Sequence, residues 1–199
     1  MLFRSPSHAT YVPVSSRDTF QAFCAGGCGL GDPLFREPPR VARDVEDELV
    51  TPDVGERVYG VVLDAAGAVN DAATATRRKE IRTERLGGEP EREPEPMLEY
   101  RSPLRLEGQT FLCNHCDREL APAAVNWKEG AATHSWPLSE RARDLGIWVR
   151  PRVDPAMWLW EFYCPSCGTL LEANIYEEGE EPGRDIRLGE GSDEPGEAF

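Results

Sequence analysis

Hydrophobic positions in this chain come in short runs separated by long polar stretches. Within PPRVARDVEDELV, Val41, Val45 and Leu49 recur at intervals of four, which predicts a short helix with one apolar face. Thr51-Pro52-Asp53 then reads as a helix start: a hydroxyl cap, a proline in the first turn and an early acid. YGVVL (59–63) is a continuous apolar run of strand length. After a turn at Ala66-Gly67, Asn70 is placed to cap a helix covering about 71–84. Further on, QTFLC (109–113) and MWLWEFYC (157–164) read as strands, and GTLLEANIY (168–176) as a returning hairpin arm. A helix is expected near 138–145, in the stretch between them. Trp158, Trp160 and Phe162 alternate along one strand and share a face, which serves either core packing or a subunit interface.

The polar stretches divide the chain. LGGEPEREPEP has almost nothing to bury and reads as a linker, spanning 86–97. From Glu177 to Phe199 the chain is acidic and poor in aromatics, so it is expected to stay mostly disordered or to lie on a partner. An N-terminal segment (1–85) and a C-terminal module (98–176) remain. The expected class is α+β: a small zinc-ribbon-like β module, preceded by a partly extended α/β segment that docks on a partner, and followed by a disordered acidic tail.

Composition narrows the function classes. With 22 Lys+Arg against 36 Asp+Glu, the net charge is −14 over 199 residues. Nucleic-acid binders draw much of their affinity from neutralising phosphates, and this chain has no basic cluster to do so. No run approaches the roughly 18 apolar residues of a membrane helix, and the N-terminus lacks a continuous apolar core of signal-peptide type. A cytoplasmic location is expected. In a reducing compartment, close cysteine pairs point to metal rather than to disulfides.

The six cysteines include two C-x-x-C pairs. Cys113 and Cys116 stand in FLCNHC, and Cys164 and Cys167 in FYCPSCGTLL, each pair at the end of a strand-like run. Four thiolates at these spacings suit a closed, tetrahedral Zn²⁺ site of structural type, with no position left open for water or substrate. Soft sulfur favours zinc; iron at the same ligands, as in rubredoxin, is the alternative. Residues 117–163 separate the pairs, far more than the usual ~15–20. They therefore form an insertion, carrying Trp127, Trp136 and Trp148. Gly168 fits the second knuckle, where backbone amides turn toward the sulfurs. His115 reads as a solvent-facing knuckle residue. A loop-rich module of this size has a marginal core, and structural zinc contributes ~10–16 kcal/mol in small peptides, so metal binding and folding are expected to be coupled.

FCAGGCGLGDPL (23–34) is glycine-rich through Gly26, Gly27, Gly29 and Gly31, and reads either as a tight structural turn or as a loop close to a ligand. Without a Lys-Ser/Thr ending it is no nucleotide-binding P-loop. Cys24 and Cys28 are expected to be reduced thiols. The only histidines are His8, His115 and His134, and no nucleophile stands beside a base, so no catalytic residue is assigned.

Two family resemblances rest on these residues. FLCNHCDREL, the Trp-Lys of VNWKEGA and WLWEFYCPSCGTLLEANI, together about 109–175, resemble the gamma (small zinc-binding) subunit of acetone carboxylase. GGCGLGDPLFREPPRVARDVEDELVTP and VYGVVLDAAGAVNDAATATRR, about 25–80, resemble the C-terminal tail of the hydantoinase B/oxoprolinase family, with Cys28, and Cys24 too, departing from the glycine or small residues expected there. The two resemblances together imply a zinc-binding accessory subunit of an ATP-dependent ketone carboxylase complex, acetone- or acetophenone-like. They imply large hydantoinase A-like and hydantoinase B-like partners that hold ATP, a divalent metal and most of the catalytic residues. The alternatives are a stand-alone zinc-ribbon adaptor and a rubredoxin-like electron carrier.

Overall fold

The structure, a computed structural model, describes residues 31–96, 102–144 and 156–186. Among these the protein is α+β. Three helices, α1 (Pro38–Glu46), α2 (Pro52–Tyr59) and α3 (Asp71–Leu86), precede two three-stranded antiparallel sheets. The first sheet holds β1 (Leu104–Glu107), β2 (Thr110–Cys113) and β3 (Glu119–Pro122) in chain order; the second holds β4 (Ala132–Pro137), β5 (Met157–Tyr163) and β6 (Leu170–Glu177), also in chain order. A fourth helix, α4 (Leu138–Asp144), follows β4, and short 3-10 turns lie at Pro33–Phe35 and Trp127–Gly130. No helix among the described residues is long and apolar enough to cross a membrane.

Local chemistry starts the helices where the sequence predicts. The Thr51 hydroxyl accepts from the Val54 amide at 3.3 Å, and the Asn70 side chain accepts from the Ala73 amide at 3.1 Å. Both helices stop at a left-handed glycine, Gly60 (φ 64°) and Gly87 (φ 64°).

Two expectations in this region are corrected. The helix at 38–46 stops before Leu49: Glu48 turns left-handed (φ 58°), the amides of Leu49 and Val50 both donate to the Asp44 carbonyl, and Leu49 is left 74% exposed while Val41 is fully buried. The strand expected at 59–63 does not form. Tyr59 ends α2, Gly60 caps it, and only Leu63 makes a single antiparallel bridge, to Val69. The Val62 amide instead donates to Thr74 Oγ1 (3.0 Å), and the Val62 carbonyl accepts from the Asn70 amide (2.8 Å). Val61 is buried without a sheet because α3 satisfies the neighbouring backbone.

The core of the C-terminal module is continuous with its cysteines. Phe111, Leu120, Trp127, Phe162, Leu171 and Tyr176 pack with Cys113, Cys164 and Cys167 in one cluster. Trp127 meets Phe162 edge to face at 5.9 Å between centroids. Of the aromatic stripe on β5, Phe162 is core, and Trp160 packs against the core half-buried.

The stretches expected to be a linker and a free tail both make contacts. Beyond α3, residues 92–95 run along the cysteine turns. After β6, residues 182–186 fold back over the 3-10 turn at Trp127–Gly130. Asn126 Nδ2 donates to the Pro182 carbonyl (3.1 Å), Trp127 Nε1 to Asp185 Oδ1 (3.3 Å) and Arg184 Nη2 to the Ala123 carbonyl (2.6 Å), while Ile186 packs on the core. Disorder from Glu177 onward is therefore corrected for this part, because the core leaves the Trp127 and Asn126 donors for it to meet. Residues 187–199 lie outside the described residues, as do Cys24, Cys28 and the glycines at 26, 27 and 29.

Candidate metal centre

The two C-x-x-C pairs arrive from different sheets on turns of identical construction. In the first, at the end of β2, the Cys113 amide donates to the Arg118 carbonyl (2.9 Å) and the Asp117 amide donates back to the Cys113 carbonyl (3.0 Å). In the second, after β5, the Cys164 amide donates to the Thr169 carbonyl (2.9 Å) and the Gly168 amide to the Cys164 carbonyl (2.9 Å). Each turn needs one left-handed residue directly after its second cysteine, Asp117 (φ 59°) and Gly168 (φ 69°). Aspartate tolerates that region better than most residues. Gly168 has a further reason: a Cβ there would stand 3.0 Å from the Arg82 Cβ and 3.2 Å from the Arg82 carbonyl oxygen on α3.

These turns bring all four sulfurs within 4.8 Å of one another. Cys113 Sγ lies 3.9 Å from Cys167 Sγ, and Cys116 Sγ 3.5 Å from Cys164 Sγ. The thiols are free, far beyond the ~2.05 Å of a disulfide. A tetrahedron with Zn–S bonds of about 2.3 Å has sulfur–sulfur edges of about 3.8 Å, so the spacing fits a four-coordinate ion. Cys113, Cys164 and Cys167 are buried and Cys116 is half-buried.

The donor set fits a cation as well. Hydrogen bonds from Cys113, then Cys116 and Cys164, push Cys167 down, and the buried Thr169 hydroxyl, 3.2 Å from its sulfur, adds to this. Cys113 is pushed up, first by its hydrogen bond to Cys116. A divalent ion would replace the protons that hold this group together. Cys113, Cys116, Cys164 and Cys167 are thus the residues that could hold a metal; it would act as a structural cross-link between the two sheets.

The surroundings differ from expectation at His115. This residue is 4% exposed, not solvent-facing. Its ring stacks on Phe35 at 4.3 Å between centroids, and its Nδ1–H donates to the Glu95 carbonyl at 2.8 Å; a carbonyl can only accept, so the proton sits on Nδ1. The Glu95 amide donates back to the His115 carbonyl, also at 2.8 Å. The Phe35 and Glu95 segments, invisible to local reasoning about the knuckle, close over it.

The N-terminal segment engages the second knuckle too. Asp32, almost fully buried, takes a two-pronged ion pair from Arg85 on α3 (2.6 and 3.0 Å) and accepts the amides of Leu34 (2.9 Å) and Leu170 (2.8 Å). Arg85 also donates to the Gly168 carbonyl at 2.9 Å and lies over the Tyr163 ring at 4.9 Å. Burial works against its charge, but Asp32, with Tyr163 and Glu161 adding to it, holds Arg85 above its ordinary pKa.

A second polar cluster surrounds Lys128, which the sequence marked only through the Trp-Lys of VNWKEGA and without a role. Lys128 is buried against the rings of Trp127, Phe162 and Tyr176, its Nζ 5.2–5.8 Å from their centroids. Its ammonium sits 2.7 Å from Glu172 Oε1 and 3.5 Å from Asp185 Oδ1, and donates to the Tyr176 hydroxyl at 3.0 Å. Burial pushes the Glu172 carboxyl up, partly countered by Lys128. The one sequence signal was a lysine placed directly after a buried tryptophan.

Comparison with known proteins gives one family match and two curated relatives. Residues 104–189 match the family described as acetone carboxylase gamma subunit. The chain is also 41% identical over 76 residues to the acetone carboxylase alpha subunit of Xanthobacter autotrophicus (strain ATCC BAA-1158 / Py2), covering 36% of this chain and 10% of that protein. It is 45% identical over 53 residues to the caprolactamase subunit beta of Pseudomonas jessenii, covering 27% of this chain and 9% of that protein. The chain thus spans about a tenth of the length of these curated relatives.

Proposed function

We propose that this chain is a zinc-binding accessory subunit of an ATP-dependent ketone carboxylase complex, acetone- or acetophenone-like, with the catalytic residues mostly on partner chains. One observation carries the reading: a single polypeptide combines a gamma-subunit module with likeness to an acetone carboxylase alpha subunit. The module brings four thiols to tetrahedral spacing. In this reading Cys113, Cys116, Cys164 and Cys167 hold Zn²⁺, which cross-links the two sheets and leaves no coordination position for substrate.

The N-terminal segment has the second role. Its resemblance to the end of a hydantoinase B-like chain, with its likeness to an acetone carboxylase alpha subunit, supports a part that docks on a bigger partner. The helices would join the zinc module to a hydantoinase B-like subunit, while a hydantoinase A-like subunit handles ATP and a divalent metal. Location in the cytoplasm accords with free cysteines.

Co-expression with the two large subunits tests this. The expected result is a hetero-oligomer that contains this chain with one zinc per copy and is colourless. Cys164→Ser should lose the zinc and leave the assembly. Full ketone carboxylation by the large subunits alone would overturn the proposal, and a red, iron-loaded protein would replace the zinc assignment with an electron-carrier one.

A further inference from the structure

One residue of the stretch after α3 touches both cysteine turns at once. The Arg92 guanidinium donates to the Cys116 carbonyl at 2.6 Å, and the Arg92 backbone amide donates to the Ser166 carbonyl at 3.2 Å. On one side of Arg92, Glu95 pairs with the His115 backbone and ring. On the other, Arg85 holds the Gly168 carbonyl, and Asp32 holds the Leu170 amide just beyond the second turn. The backbone of both cysteine turns is therefore gripped from outside by one continuous segment, 32–95.

We infer that metal binding by the four cysteines and docking of the segment 32–95 onto the cysteine turns are coupled, with Asp32 and Arg92 acting as positioning residues for the metal site. The inference rests on the reading that the four thiols hold a metal. The two turns belong to different sheets, so the ion fixes their separation, and that separation decides whether Arg92 reaches both carbonyls. The segment in turn holds the turns at ligand spacing before the ion arrives, which lowers the ordering cost of binding. Coupling of this kind is reciprocal: the factor by which the clamp raises metal affinity is the factor by which the metal raises clamp closure. Groups that orient ligands from outside typically change metal affinity about 10–100-fold when removed. Loss of the ion would then release α3 and the 92–95 stretch from the module, and those elements would present to any partner only in the loaded state.

The test uses the full chain. Zn²⁺ affinity is measured by competition with a chromophoric chelator, and Co²⁺ is used to read ligand geometry from its absorption. Arg92→Ala and Asp32→Ala should each weaken Zn²⁺ binding about 10–100-fold. Their Co²⁺ spectra should be unchanged, because the four sulfur ligands remain. Stripping the metal from the wild-type chain should raise amide hydrogen exchange across 81–95. Arg92 is exposed, so its variant retains the fold even where Asp32→Ala does not. Zinc affinity of Arg92→Ala within twofold of wild type, or unchanged exchange at 81–95 on stripping, overturns the coupling while leaving zinc binding intact. Failure of the wild-type chain to bind either ion overturns both the coupling and the zinc reading.

Discussion

Gly168→Ala isolates how hard α3 presses on the second cysteine turn. Two costs add. A residue other than glycine at φ 69° pays about 1–2 kcal/mol for the left-handed backbone. The new methyl would also stand 3.0 Å from the Arg82 Cβ and 3.2 Å from its carbonyl oxygen, so α3 must shift, and overfilling of this kind costs about 1–3 kcal/mol. The expected loss is about 2–5 kcal/mol, large against a typical domain stability of about 5–15 kcal/mol. Gly108→Ala provides the control. Gly108, in the turn between β1 and β2, has φ 60°, and a methyl added there would meet no heavy atom within 4 Å, so only the backbone cost of about 1–2 kcal/mol applies. Urea denaturation of the metal-loaded full chain measures both, with an unchanged m-value as the check that midpoints can be compared. The gap between the variants, about 1–3 kcal/mol, reads the contact with α3 directly. Equal losses within about 0.5 kcal/mol would refute the packing of the N-terminal helices on the metal module. The twin position, Asp117, is exposed and its carboxylate pairs with Arg105 at 2.7 Å, so that turn accepts a side chain.

Gly130→Ala should be the harsher change: a Cβ there would lie 1.8 Å from the Leu120 carbonyl oxygen, so the 3-10 turn must lift from β3, with a loss at or above about 3 kcal/mol in the same denaturation assay. Lys128→Met leaves Glu172 and Asp185 without their cation and should cost about 3 kcal/mol at pH 7, toward the lower end for a broken buried pair because Asp185 is 41% exposed. Its pH dependence has a definite sign. The Glu172 carboxyl is raised by burial, so it favours the folded state below the ordinary glutamate value of about 4.3, and that contribution is lost as pH rises through the raised folded value. Without Lys128 the carboxyl rises further, so the deficit of the variant should be largest at neutral pH and shrink below about pH 4.3, as read from denaturation at a series of pH values.

What the sequence by itself determined was local. The caps at Thr51 and Asn70 and the two cysteine turns are each settled by hydrogen bonds spanning a few residues, so a short window contains all the information they need. The pairing of Cys113 and Cys116 with Cys164 and Cys167 was legible across a long gap because two C-x-x-C pairs, each at the end of a strand-like run, have the spacing of a four-sulfur metal site. Only the tertiary structure decided which surfaces meet those local pieces. YGVVL has strand composition but finds α3 as its hydrogen-bond partner, and Leu49 continues an apolar period after the helix that would have carried it has ended. His115 is buried because Phe35 and Glu95 arrive over it, and Asp32 becomes a buried ion because Arg85, fifty-three positions away, is there to neutralise it. Lys128 likewise needs Glu172 and the returning 182–186 stretch. A buried charge or ring is tolerated only where its partner arrives, and arrival is a property of the folded chain's path, which no window of neighbouring residues contains.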